Sequence, residues 1–119
     1  KRSGYHGRHC AEIHEMHEDY LRPQENGSHT DCDYLILKGT DLTFAAVGEK
    51  TFSFNASPYT QEELTTKKHS YELQPCGSTV LCLDYAQNGI GSNSCGPELS
   101  EQYRLDAEEF DFEIKMIIK

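Results

Sequence analysis

Residues 34–57 read YLILKGTDLTFAAVGEKTFSFNAS, and this stretch decides the fold. It contains three short runs rich in apolar, aromatic and β-branched residues, which are typical of strands. In the third run Phe52, Phe54 and Ala56 alternate with polar residues, as in a strand with one buried face. Turn-forming residues separate the runs, so the predicted order is strand 34–37, turn 39–41, strand 42–45, turn 47–50 and strand 51–56. The stretch therefore predicts an antiparallel meander.

The other segments continue this β pattern, with one interruption. Thr60 and Glu63 form a capping-box sequence, which predicts a short helix over 60–67. Extended structure is predicted for 69–73 and a strand buried on both faces for 78–85. A final half-buried strand is predicted for 110–118, with these residues on its core side: Phe110, Phe112, Ile114, Met116 and Ile118. The sequence thus predicts an all-β fold, an antiparallel β-sandwich with one short helix, as a single domain over residues 1–119.

The charge balance limits the partners. The chain has 20 Asp and Glu residues against 11 Lys and Arg residues, and its net charge is -9. A nucleic-acid or anionic membrane partner needs clustered basic residues, so neither is expected. The sequence shows no apolar run of membrane-spanning length and no visible signal peptide.

The cysteines indicate a reducing compartment. Their number is odd, and their spacing fits no common zinc site: Cys10, Cys32, Cys76, Cys82 and Cys95. We therefore expect reduced thiols in a cytoplasmic protein. His14 and His17 are three residues apart in a segment rich in His and Glu, but they form no recognised metal motif. A solvated polar segment is the favoured interpretation over a metal site.

The segment 87–97 is the most informative candidate for a functional loop. Gly89 and Gly91 allow a sharp turn and a close approach to another molecule. Asn93 and Ser94 offer amide and hydroxyl groups that can bond a sugar, a neighbouring loop or the backbone of the segment itself. Spacing alone favours the last of these roles. Nothing in the sequence places a His beside Cys95 to activate it, and no pair of acids is singled out as catalytic.

Three stretches resemble a known family. They are YLRPQENGSHTD at 20–31, FNASPYT at 54–60 with Glu63, Leu64 and His69 behind it, and LDYAQNGIGSNSCGP at 83–97. In this order they resemble segments in the C-terminal domain of β-galactosidases of glycoside hydrolase family 2. The resemblance divides the chain into a polar leading segment, 1–19, and a family-like core, 20–119.

The resemblance implies a function and a site. It implies part of a galactose-mutarotase-like super-sandwich in an enzyme that hydrolyses terminal β-D-galactosyl residues, as in lactose. Because the catalytic glutamates of that family lie in a barrel domain, no catalytic residue is expected here. Cys95 stands where the family usually has a Trp that faces the sugar, so Cys95, Asn93 and Ser94 are the expected substrate-binding residues. No cofactor or metal is expected in this segment, whereas Mg²⁺ or Na⁺ is expected elsewhere in the full enzyme.

The resemblance also implies partners, because the family domain is about twice as long as this chain. The expected partners are the barrel domain and missing strands of the β-galactosidase, its galactoside substrate, and further copies in a homo-oligomer. Exposed sheet edges and an apolar face are expected in the isolated chain. Two alternatives stay open: a stand-alone carbohydrate-binding β-sandwich module, and a structural or oligomerisation domain without a ligand.

Overall fold

A computed structural model of the chain describes residues 6–18, 27–86 and 98–119. Within those ranges the elements follow in this order: α1 Ile13–Met16, β1 His29–Lys38, β2 Thr43–Ser57, α2 Gln61–Thr66, β3 Val80–Asp84 and β4 Ile114–Ile118, with 3₁₀ turns at Ser70–Glu72 and Glu101–Tyr103. The strands β1, β3 and β4 each pair with β2 in one sheet. The predicted all-β, antiparallel class is confirmed. Both described α-helices are too short to cross a bilayer.

The described residues form two compact units. The first contains the described residues before Thr30 together with Phe54–Leu83, and its buried side chains include Phe54, Ala56, Leu64 and Leu73. The second contains Thr30–Ser53 and the described part of Asp84–Lys119, and its buried side chains include Leu35, Ala46 and Phe52. The long strand β2 contributes residues to both units.

The turn predicted at residues 47–50 is wrong, because β2 continues through it. Gly48 pairs with Ile114 of β4, and the Glu49 N–H donates to the carbonyl oxygen of Glu113 at 3.3 Å. A Cβ at Gly48 would collide with the Lys50 carbonyl oxygen, so the backbone here needs glycine. The turn predicted at 39–41 is confirmed, and the Gly39 N–H donates to the Leu42 carbonyl at 2.8 Å. Long-range pairing with β4 has overridden the local turn preference of this segment.

The last part of β2 is buried on both faces, although alternation predicted one solvated face. The exposed fraction is 1% for Phe52, and on the opposite face it is 6% for Ser53 and 8% for Asn55. Small polar residues tolerate burial when hydrogen bonds satisfy them. The hydroxyl of Ser57, also buried, accepts the Tyr59 N–H at 3.1 Å. Alternation of residue type therefore did not correspond to alternation of burial.

The predicted short helix is confirmed as α2. The Thr60 hydroxyl accepts the Glu63 N–H at 3.1 Å, which is the N-cap bond expected from the sequence. Leu64 is the buried residue of this helix. The Glu63 carboxylate makes contacts further along the chain, since it accepts the Gln74 N–H at 2.9 Å and lies 3.7 Å from the Lys67 ammonium.

The segment after α2 forms a 3₁₀ turn at Ser70–Glu72, so the extended structure predicted for 69–73 is wrong. The turn closes because the Glu72 carboxylate accepts the N–H groups of Lys68 and His69 at 3.0 and 3.1 Å. These two backbone hydrogen bonds favour the ionised carboxylate and lower the pKa of Glu72.

This carboxylate makes a pH-dependent contribution to stability. The pKa of Glu72 is lower in the folded chain than in the unfolded chain. Below about pH 5 the unfolded chain therefore binds more protons than the folded chain does. The stabilisation is therefore present above the ordinary glutamate pKa and disappears as the pH falls through the folded value. Glu72→Gln should reduce the loss of stability between about pH 5 and pH 3. Urea unfolding midpoints of both chains across this range test the prediction, which equal pH slopes would contradict.

The last two strands are less buried than predicted. Every residue of β3 is half-buried, so burial on both faces is wrong for this strand. The strand β4 begins only at Ile114, and Met116 and Ile118, predicted to face the core, are 63% and 68% exposed. No described element covers these side chains. The predicted exposed apolar surface is thus present at β4.

Candidate functional site

The three predicted substrate-binding residues, Asn93, Ser94 and Cys95, lie outside the described residues. The structure does describe the segments on either side of 87–97. We call residues 84–86, at the end of β3, the entry stem, and residues 98–104 the exit stem. Both stems belong to the same compact unit.

Aromatic contacts fix the entry stem. The Tyr85 ring stacks on Phe110 with centroids 4.8 Å apart and planes 10° apart. Phe112 meets the same tyrosine nearly edge-on, at 5.2 Å and 62°. Each such pair contributes about 0.5–1.5 kcal/mol beyond the area it buries. The backbone that leaves β3 is thereby attached to the segment before β4.

Arg104 fixes the exit stem. Its Nε–H donates to the Leu99 carbonyl at 2.8 Å, and its guanidinium lies 3.1 Å from the Glu98 carboxylate. The 3₁₀ turn Glu101–Tyr103 brings the arginine back over these residues. Because the Glu98 side chain is 68% exposed, solvent screens this ion pair, and its contribution to stability is about 0–1 kcal/mol. The planar guanidinium contacts the Leu99 carbonyl and the Glu98 carboxylate at the same time, so its main effect is to orient these two groups.

The described thiols do not form a nucleophilic site. Cys10 and Cys76 are exposed, Cys32 and Cys82 are half-buried, and no disulfide joins any two of these four described cysteines. Burial raises the pKa of Cys32, and the neighbouring carboxylates of Asp31 and Asp33 raise it further. Cys32 therefore carries a protonated thiol at neutral pH, which is the unreactive form. The Cys82 sulfur accepts a hydrogen bond from the Gln61 amide at 3.5 Å.

The histidine-rich leading segment shows no metal site in its described part. In the ranges 6–18, 27–86 and 98–119, no group of three His, Cys, Asp or Glu side chains has the arrangement of a metal centre. His14 is exposed on α1, as the prediction of a solvated segment requires. His17 differs, because its ring meets Tyr59 at 5.1 Å in an edge-on contact that the sequence pattern did not indicate.

Comparison with known proteins identifies the family. The beta galactosidase small chain family matches residues 1–116. The chain belongs to this family. A β-galactosidase from Actinobacillus pleuropneumoniae is 57% identical over 101 residues, which cover 85% of this chain and 10% of the relative. A β-galactosidase from Staphylococcus xylosus is 43% identical over 102 residues, covering 84% and 10%, and one from Kluyveromyces lactis is 34% identical over 105 residues, covering 88% and 10%.

These β-galactosidases are much longer than this chain, which spans about one tenth of their length. The predicted resemblance to β-galactosidase is confirmed, and the chain matches one segment of these longer proteins. Sequence reasoning missed the roles of Arg104 and Phe110 at the stems. Nothing in the local sequence shows that Arg104 reaches the Leu99 carbonyl.

Proposed function

We propose that this chain is the C-terminal part of a β-galactosidase of glycoside hydrolase family 2, which hydrolyses terminal non-reducing β-D-galactose residues in β-galactosides such as lactose. The 57% identity to a β-galactosidase over most of the chain supports this proposal. The catalytic carboxylates lie in the rest of the enzyme, in a barrel domain outside residues 1–119. Any Mg²⁺ or Na⁺ that the enzyme uses is held there too.

The contribution of this chain is a substrate-lining loop, 87–97, with Asn93, Ser94 and Cys95 at the sugar. The observation that carries this role is the double anchoring of its stems, by Tyr85 at entry and by Arg104 at exit. A loop that touches substrate needs a rigid support, because small displacements weaken every polar contact to a sugar. The amide of Asn93 and the hydroxyl of Ser94 suit sugar hydroxyl groups.

The enzyme works as a homo-oligomer in the cytoplasm, where its thiols stay reduced. The exposed Cys10 and Cys76 support a reducing compartment, since exposed thiols in an oxidising one readily become oxidised or paired. The chain's direct partners are the barrel domain and the strands missing from its own sandwich.

Hydrolysis of a chromogenic β-galactoside tests whether the catalytic carboxylates lie outside this chain. The full-length enzyme should release the chromophore, whereas the 119-residue chain alone should release none above buffer. Turnover by the isolated chain would contradict the assignment of the catalytic carboxylates to other domains. Tight galactose binding by the isolated chain, with no hydrolysis in the full-length protein, would favour a carbohydrate-binding module.

A substitution at Cys95 tests the lining role. A thiol offers no stacking face to a pyranose ring, whereas a Trp side chain does. Cys95→Trp in the full-length enzyme should therefore lower KM for a disaccharide substrate by roughly 2- to 10-fold, as expected for an added contact of about 0.5–1.5 kcal/mol. Cys76→Trp, at an exposed site in the compact unit that contains Phe54–Leu83, is the control and should leave KM unchanged. Identical kinetics for the two variants would argue against Cys95 at the substrate.

A further inference from the structure

The register of β4 shows which of its backbone groups face away from β2. Thr43 and Lys119 exchange two hydrogen bonds, at 2.7 and 2.9 Å, and Glu49 donates to Glu113 at 3.3 Å. Between these points the antiparallel pairs run from Phe44↔Ile118 to Gly48↔Ile114. Hydrogen-bonded and non-hydrogen-bonded pairs alternate in such a ladder. The N–H and C=O groups of Lys115 and Ile117 therefore face β2, and those of Ile114, Met116 and Ile118 face outward.

The strand β4 has apolar side chains beside the backbone groups that face away from β2. Among the described residues, β2 is the strand with which β4 pairs. The side chains of Met116 and Ile118 are 63% and 68% exposed, and Ile117, on the opposite face, is 38% exposed. The one charged side chain within β4 is Lys115. A strand with both faces apolar and one free edge is typical of the interior of a larger sheet.

The terminal strand β1 differs in the features that discourage pairing. It carries Asp31 and Asp33, and Asp31 has a positive φ of 56°, which interrupts a regular edge. The strand β4 has no carboxylate and no residue with positive φ. Of these two strands, β4 is the one suited to accept a further strand.

The length of the relatives identifies the occupant. This chain corresponds to about one tenth of the β-galactosidases that it matches, so nine tenths of such an enzyme lies outside the structure. We propose that the outer edge of β4 takes a strand from the remainder of the β-galactosidase, so that β4 is an interior strand of the assembled enzyme. This inference rests on the part of the proposed function that makes the chain a piece of that enzyme. Main-chain bonds to Ile114, Met116 and Ile118 provide the pairing, and the flanking side chains are covered with it.

Amide hydrogen exchange in the full-length enzyme tests this pairing residue by residue. The amides of Lys115 and Ile117 are protected by β2 in either case and are internal controls. With a strand on the outer edge, Ile114, Met116 and Ile118 should also exchange at least about 100-fold more slowly than an unstructured peptide. Fast exchange at these three amides, beside slow exchange at the two controls, would overturn the proposal. Protection that is lost on dilution would assign the edge to a second copy and would overturn it equally.

A proline substitution gives a second readout. Met116 faces Ala46 in a non-hydrogen-bonded pair, so a proline there leaves the bonds to β2 in place and removes only an outward N–H group. In the full-length enzyme Met116→Pro should lower the thermal midpoint clearly more than Met116→Ala, which removes the side chain but keeps the N–H. Equal midpoints would contradict an outer strand. Amide exchange and the thermal midpoint can be measured whether or not the enzyme turns over substrate. If the full-length protein did not hydrolyse galactosides, the proposed activity would be refuted, and these two measurements would still decide the strand pairing.

Discussion

Phe52→Ala is expected to lower the free energy of unfolding by about 3–5 kcal/mol, the usual cost of removing a buried phenyl ring. Phe52 is 1% exposed and is the largest fully buried side chain among the described residues. It lies in the section of β2 that is buried on both faces, and its ring also lies against Gly48. A cavity there cannot be filled by water without polar partners. Since net stabilities are about 5–15 kcal/mol, one substitution should remove a large share.

Urea unfolding of the 119-residue chain measures this loss, and the matched control is Phe110→Ala. Phe110 is 58% exposed and contributes mainly its stack on Tyr85, so its removal should cost about 1 kcal/mol. If the two substitutions lowered the free energy of unfolding by the same amount, the difference in burial between Phe52 and Phe110 would be contradicted.

Leu64→Ala should have the second largest effect, a loss of about 2–5 kcal/mol. Leu64 is 3% exposed and is the buried residue through which α2 packs on its unit. The helix has six residues, which is too short to be stable without tertiary packing. By comparison, Thr60→Ala should cost only about 1 kcal/mol, because it removes one N-cap bond to Glu63.

The control for this second substitution uses the same chemical change at an exposed site. Leu42 is 63% exposed, so Leu42→Ala should change the stability of the chain by no more than about 0.5 kcal/mol. The thermal and urea unfolding midpoints of the Leu64→Ala and Leu42→Ala variants should therefore differ widely. A large loss at Leu42 or a small one at Leu64 would contradict the packing of α2.

Local signals in the sequence predicted the elements that local interactions form. The Thr60 cap and the Gly39 turn were both predicted from neighbouring residues and are both observed. The predictions failed where partners distant in sequence decide. Gly48 lies within a strand because β4 pairs across it, and Met116 is exposed because no described layer covers it. Periodicity indicates which side chains share a face, but not which face finds a partner.

The candidate site stays a prediction. Asn93, Ser94 and Cys95 follow from the resemblance to β-galactosidases, and of this resemblance the family itself is confirmed. The stem contacts were not predictable, because the stack of Tyr85 on Phe110 depends on two segments that meet only in the folded chain. The Arg104 contacts likewise depend on the path of the 3₁₀ turn, which the residue types alone do not determine.

The reactivity of Cys95 in the full-length enzyme tests the substrate-lining claim most directly. The rate of its alkylation can be followed by mass spectrometry, with and without a saturating non-hydrolysable thiogalactoside. Cys10 and Cys76, the exposed thiols of the described chain, provide internal references whose rates the sugar should leave unchanged. The account predicts that the thiogalactoside slows alkylation at Cys95 by at least about 10-fold, because a bound sugar denies the reagent access. Alkylation of Cys95 at the same rate with and without the sugar would contradict it.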